Sequence, residues 1–169
     1  MRERPIEPEF SRAVETNAVG DEGLEVGFEA NAAEREALAR RFGLLTLDRL
    51  SGAARFKRAS DGRIRAKVTF EADVVQSCVV TLEPIAGRLT EAFEASFGDG
   101  AEVGLEVDVA IEDEDPPEPI RGGRMELGEL VAQHLSLALD PYPRTPGAEL
   151  PDEAGAAEPE ARPFAALRS

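Results

Sequence analysis

Residues 63–84 read RIRAKVTFEADVVQSCVVTLEP, and their reading decides the fold. The even positions Ile64, Ala66, Val68, Phe70, Ala72 and Val74 are apolar, and after Gln76 so are Cys78, Val80 and Leu82. From Arg63 to Asp73 the odd positions Arg63, Arg65, Lys67, Thr69, Glu71 and Asp73 are polar. Alternation sustained this long predicts a long β-strand, or two joined by a bulge, with one face on a core and the other in water. Cys78, the single cysteine, falls on the face that reads as buried.

Upstream, Ser60-Asp61-Gly62 reads as a turn that folds a strand over Leu44 to Arg58 back onto this one. The faces choose the loop length. A two-residue turn pairs Phe56 with Lys67, apolar beside charged. A three-residue loop, with Gly62 at positive φ, pairs Phe56 with Ala66, Ala54 with Val68 and Leu50 with Ala72, and sets Gly52 opposite Phe70. Before the hairpin, Asn31 and Glu34 form a capping box for a helix from Ala32 to about Phe42. Gly43 is placed to end that helix in a left-handed conformation. Phe10–Thr16 is expected as a short edge strand, and Gly23–Ala30, where Leu24, Val26 and Phe28 alternate, as another.

Downstream of Pro84 the alternation resumes at Leu89, Phe93, Ala95 and Phe97. Gly98-Asp99-Gly100 reads as a turn into a strand with Val103, Leu105, Val107, Val109 and Ile111 on one face. Residues 112–119 form an acidic loop broken by prolines that is not expected to continue a ladder. From Glu126 to Leu139, Leu127, Leu130, Val131, Leu135 and Ala138 recur at helical spacing, predicting a second amphipathic helix that Asp140-Pro-Tyr-Pro143 stops. The expected fold is α+β: a mainly antiparallel, strongly curved sheet of about five or six strands with two packing helices. Residues 1–8 are expected as a loose arm, 9–144 as one domain and 145–169 as a disordered acidic tail.

With 169 residues, 42% hydrophobic and 31% charged, the chain is long enough for one core of its own. No run approaches the roughly 18 apolar residues of a membrane helix, and the N-terminus carries no apolar stretch behind its basic residues, so a cytoplasmic protein is expected. One cysteine excludes an intramolecular disulfide framework and a cysteine zinc ribbon. A net charge of −15 argues against bulk attraction to nucleic acid or anionic lipid. The charge is uneven, however: from Glu34 to Lys67 ten basic residues face four acids, a net of +6, and the remainder carries −21. Arg40, Arg41, Arg55, Lys57, Arg58, Arg63, Arg65 and Lys67 are therefore the candidate RNA-contacting residues of this segment.

Catalysis finds no foothold in the sequence. A thiolate at Cys78 needs a base or a positive environment, and the one histidine, His134, lies far off on the second helix. Both read as structural, and no spacing of ligands points to a metal or cofactor. Glu126 and Glu129 at the start of the second helix are explained by its dipole. The glycine pairs read as turns rather than phosphate loops. Aromatic residues are 5% of the chain, and Phe28, Phe56, Phe70, Phe93 and Phe97 fall on core parity, so any RNA contact is expected to be with phosphates.

The block VVQSCVVTLEPI, the spaced Leu89, Phe93 and Phe97, the acidic break and ELGELVAQHLSLALDPYPR together resemble the YceD family, the large ribosomal RNA subunit accumulation proteins. The resemblance covers about residues 7–148, with Cys78, Leu82, Pro84, Leu127, Leu130, Leu135, Leu139 and Pro143 as structural motif positions. Relatives often carry cysteine, spacer, arginine, cysteine, leucine; here Val80 stands for the arginine and Thr81 for the second cysteine. Some also carry cysteines after the last helix, suggestive of zinc, and residues 140–146 here have none, so a metal role is not carried over. The resemblance implies a non-enzymatic bacterial ribosome-biogenesis factor without cofactor, whose partners are the precursor of large-subunit (23S) ribosomal RNA or assembly intermediates. The alternative is an acidic partner or chaperone for a basic ribosomal protein. The sequence does not give the oligomeric state.

Overall fold

The computed structural model describes residues 8–98 and 116–149. The predicted strand over 103–111, the Asp99-Gly100 part of its turn, most of the N-terminal arm and the tail from 150 onward lie outside the described residues.

The central hairpin forms as its parity demands. Strand β3 (Thr46–Arg58) and strand β4 (Ile64–Ser77) pair antiparallel, with Phe56 opposite Ala66, Ala54 opposite Val68, Gly52 opposite Phe70 and Leu50 opposite Ala72. Gly62 takes φ +85° in the connecting loop. A bulge between Leu47 and Arg49 resets the register near the start of β3. A Cβ at Gly52 would collide with the Thr69 carbonyl oxygen and stand 2.7 Å from Cζ of Phe28, so this glycine lets two phenylalanines close over the strand.

Before it come β1 (Ala13–Glu15), a 3-10 turn (Thr16–Ala18), β2 (Leu24–Glu29) and α1 (Ala32–Phe42). Asn31 accepts from the Glu34 amide and Glu34 accepts from the Asn31 amide, completing the capping box, and Gly43 closes α1 at φ 65°. After the hairpin come β5 (Pro84–Gly98), β6 (Glu118–Pro119), β7 (Arg124–Glu126) and α2 (Leu127–Ala138). Glu126 is the N-cap of α2, so the helix begins one residue after the predicted start.

The five-stranded sheet runs β2-β3-β4-β5-β6. It is mixed, correcting the expectation of a mainly antiparallel, strongly curved sheet, and strong curvature is not among its features. The pairs from β2 to β5 are antiparallel, and β6 adds in parallel at Phe97 and Gly98. The proline-rich segment therefore does reach a ladder. Pro119 lacks an N–H, but the strand is at the edge, and the Ile120 amide donates to Gly98 O at 3.1 Å. The N-terminal strand is corrected too. Only Ala13–Glu15 is extended, and it pairs with β7 in a separate two-stranded sheet rather than at an edge of the main one.

One face of the sheet is buried. Ile64, Ala66, Val68, Phe70, Ala72 and Val74 of β4 meet Leu38 of α1 and Leu127, Val131 and Leu135 of α2 in one cluster, with Phe10, Phe56 and Phe97 fully enclosed. His134 of α2 stacks on Phe93 of β5, ring centroids 3.5 Å apart and ring planes nearly parallel. Leu127, Leu130 and Leu135 are buried, Leu139 packs at the margin of the cluster, and Pro143 is buried beyond the helix. The N-terminal segment is fixed to α2 by Glu126, which accepts from the Arg12 amide (2.7 Å), Ser11 Oγ (2.7 Å) and the Gly128 amide (3.0 Å).

Candidate nucleic-acid interface

The other face of the sheet is open to solvent, and the register places its charges in rows across the strands. Glu25, Arg55, Lys67 and Glu94 form one row over β2, β3, β4 and β5. Within it Arg55 pairs with Glu25 at 2.9 Å and Lys67 with Glu94 at 2.8 Å, so two adjacent cations are each answered by an acid on the outer strand. Toward the other end Arg49, Asp73 and Arg88 form a second row. Arg88 donates to Asp73 at 2.7 Å and holds its carboxyl below the ordinary carboxylate range. Arg49 reaches Glu71 at 3.9 Å.

The row beyond Arg55 and Lys67 differs. Lys57 faces Arg65, Ser96 completes the row on β5, and neither cation has an ion pair or side-chain hydrogen bond among the described residues. An open concavity of about 370 Å³ beside Lys57 is lined by Glu22, Glu25 and Arg55, without a carboxylate at ion-pair distance from the lysine.

The remaining candidates are engaged within the fold. Arg40 pairs with Glu36 one turn earlier at 3.0 Å. Arg41 makes a bidentate pair with Glu129 at 2.9 and 2.8 Å and a further bond to Glu9 at 3.0 Å. Its guanidinium pKa is raised and the Glu129 carboxyl is held down by the same contact. Arg58 donates to the carbonyls of Val19 (3.0 Å) and Thr16 (2.7 Å), tying the 3-10 turn to the sheet. Arg63 stands 4.0 Å from Asp61 in its own loop. The eight candidates are thus not one patch: the fold brings Arg55, Lys57, Arg65 and Lys67 together on the open face and draws Arg41 to α2.

Cys78 has a surrounding that parity alone did not foresee. Strand β4 ends at Ser77, and the alternation stops with it: Cys78 is fully buried but outside the main apolar cluster, whereas Leu82 is 75% exposed. The chain makes a tight knuckle in which the Cys78 amide donates to Glu83 O (2.8 Å) and the Leu82 amide to Cys78 O (3.0 Å). Its neighbour is the segment after α2, where the Val79 amide donates to Pro143 O at 2.9 Å. Inside, Cys78 Sγ accepts from the amides of Thr81 and Thr145, both at 3.4 Å, with the Thr145 hydroxyl at 3.6 Å. These bonds, those from Thr81 foremost, pull the thiol down to about 6. Thr145 went unnoticed in the sequence, and only the alignment of Thr81 with a family cysteine signalled such a niche.

With threonines as the sulfur's neighbours, the niche offers one soft ligand and does not fit zinc. Among the described residues no three of His, Cys, Asp and Glu gather as a ligand set.

No curated protein and no solved structure matches the chain. The family described as "Large ribosomal RNA subunit accumulation protein YceD" matches residues 66–169, a span that takes in β4 from Ala66 onward, the knuckle, β5 and α2. On that match over more than half its length, the chain belongs to the YceD family.

Proposed function

We propose that this protein is a non-enzymatic ribosome-biogenesis factor that supports accumulation or processing of large-subunit (23S) ribosomal RNA in the bacterial cytoplasm. The observation that carries this reading is the family match over residues 66–169, since the family is described by large ribosomal RNA subunit accumulation. The proposed RNA contact is the Lys57–Arg65 corner of the open sheet face, assisted by Arg55, Arg63 and Lys67. Two adjacent cations without an acidic partner among the described residues suit a phosphodiester, and the polar residues that flank them on the open face suit backbone rather than base recognition.

Filter binding of the purified chain to precursor ribosomal RNA across a salt series tests the contact. Replacing Lys57 and Arg65 by serine should flatten the slope of log affinity against log salt by about 1.4 to 1.8, the value for two phosphates. No binding at low salt removes the direct-contact version.

The net charge of −15, together with the internal pairing of most basic side chains among the described residues, favours a second reading as an acidic partner of a basic ribosomal protein. Recovery of one ribosomal protein on the immobilised chain after nuclease treatment supports it, and loss of recovery with the RNA favours the first reading.

A further inference from the structure

The large apolar side chains that stand exposed among the described residues are Leu45, Val79, Leu82, Leu137 and Tyr142. They gather at one end of the sheet. Val79 and Leu82 belong to the knuckle, and Tyr142 lies on the segment hydrogen-bonded to it through Pro143. The Leu45 amide donates to Val75 O near the end of β4, and Leu137 is on the last turn of α2, close in sequence to Asp140, whose carbonyl accepts from Gln76. Ser77 lies twelve positions along β4 from Arg65, about 40 Å at the rise of a strand, so this end is remote from the basic corner.

Leu82 is the residue that makes the cluster more than scattered exposure. It has φ +62°, alone among non-glycine described residues in the left-handed region, where a leucine is strained and glycine is not. Its exposure is 75%, so packing within the chain does not compensate that strain. The conformation is imposed by the bonds around it: its amide to Cys78 O, its carbonyl accepting from Ser77 Oγ, and the sulfur accepting from Thr81. A hydrogen-bonded frame around the buried Cys78 thus presents an aliphatic side chain to solvent on the same knuckle as Val79, with Tyr142 on the adjoining segment. Strain held by surrounding structure and apolar groups held out of the core both mark sites of interaction. Tyrosine is also among the side chains enriched at protein interfaces.

The charge around this end selects the occupant. Glu83 and Asp140 flank the knuckle, against the exposed Arg144 beside Pro143, and have no cationic partner among the described residues; Glu83 accepts from the Thr81 hydroxyl and Asp140 from the Tyr142 amide. Carboxylates rimming an apolar tip disfavour nucleic acid and anionic lipid and complement lysine or arginine.

We propose that the knuckle of Val79 and Leu82, with Tyr142, is the docking surface for a basic protein that offers an apolar concavity edged by lysine or arginine. Where that protein is ribosomal, the proposal names the partner of the function given above, on which its biological setting rests.

The test is photo-crosslinking in cells, with p-benzoyl-L-phenylalanine in place of Tyr142 in the full chain. The expected result is one adduct with a protein of net positive charge, resistant to nuclease and lost when Val79→Ser and Leu82→Ser are added. Those two substitutions leave the chain's charge unchanged, so the loss reports apolar contact rather than general attraction. The purified partner should then bind the Leu82→Ser chain about thirtyfold more weakly, the scale of one central interface residue. A basic partner that is not ribosomal upholds the docking surface and counts against the ribosomal reading. An adduct with RNA, with lipid, with an acidic protein or with a second copy of this chain overturns the proposal, as does the absence of any adduct. Leu82→Gly separates docking from folding: it should leave the thermal midpoint unchanged or raise it while weakening the partner. A lower midpoint would make Leu82 a packing residue and overturn the proposal.

Discussion

Lys57 and Arg65 are directly opposed across β3 and β4, and the third residue of their row is Ser96, which carries no charge. One step along the sheet, the neighbouring cations Arg55 and Lys67 are each satisfied by a glutamate on the outer strand. A chain with 34 acidic residues has placed none at ion-pair distance from the Lys57–Arg65 pair among the described residues. Like charges directly opposed across strands destabilise by about 0.2 to 1 kcal/mol. Arg65→Glu is therefore expected to stabilise the fold by up to about 1 kcal/mol in urea unfolding while abolishing the phosphate contact. Stability and RNA affinity move in opposite directions at this site. Unchanged RNA affinity in the Arg65→Glu chain would show that the corner does not touch RNA.

Two glycines are fixed by close approach rather than by turn geometry. A Cβ at Gly128 would collide with the Phe10 carbonyl oxygen and stand 2.8 Å from the Arg12 amide nitrogen, both backbone atoms. Gly52 has the Thr69 carbonyl oxygen and, at 2.8 Å, Cα of Phe70 in the same position. Alanine at either site should cost about 1 to 3 kcal/mol, the range for overpacking a well-filled interior. Gly128→Ala should in addition loosen the N-terminal segment, read as faster amide exchange at Arg12. Equal exchange in the variant and the parent would mean that the helix yields instead.

The hairpin and α1 were legible because each is decided locally. Parity fixed the three-residue loop and the pairs from Phe56 with Ala66 to Leu50 with Ala72, though not the bulge between Leu47 and Arg49, and the capping box with Gly43 fixed both ends of α1. Contacts distant in sequence were not legible. Nothing near Ala13–Glu15 tells that its partner is Arg124–Glu126, and nothing near Glu118 tells that it adds in parallel beside Phe97. The basic segment was legible as composition but not as a surface. Whether an arginine is available depends on acids supplied by other elements, such as Glu129 for Arg41 or Glu25 for Arg55. Alternation also misled beyond Ser77, because the chain leaves the sheet there and the knuckle turns Leu82 outward.

Acid sensitivity should trace chiefly to two arginine–carboxylate clamps, with the more exposed Arg88–Asp73 pair adding in the same direction. Arg12 donates to both carboxyl oxygens of Glu34, at 2.7 and 2.9 Å, while lying over the Phe10 ring. That contact and the Asn31 amide hold Glu34 below its ordinary value of 4.5, and Arg41 does the same for Glu129. A carboxyl lowered in the folded state contributes stability that is complete above its unfolded pKa and is lost as pH falls through its folded one. Stability should therefore hold above about pH 4.5 and decline below it as these groups protonate. Arg12→Met removes the clamp together with the guanidinium that lies over Phe10, so its unfolding midpoint should fall less steeply below pH 4.5 than that of the parent. Parallel pH profiles for the two chains would exclude Glu34 as a source of the acid dependence.

The Cys78 niche predicts a dependence of the same sign in a different window. Donors from Thr81 and Thr145 converge on a sulfur that is fully buried, favouring the thiolate and bringing the thiol from an ordinary 9.0 to about 6. Because the folded value is the lower one, the niche contributes most above pH 9 and loses its contribution as pH falls from 9 toward 6. The parent should gain stability over Cys78→Ala steadily across that interval, and the difference should level off on either side. Cys78→Ser keeps an acceptor for both amides but does not ionise there, so it should restore part of the stability without the pH dependence. A parent and a Cys78→Ala chain that keep a constant difference from pH 6 to 9 would mean that the sulfur stays protonated. The two threonine amides would then act on a neutral thiol as simple weak hydrogen bonds.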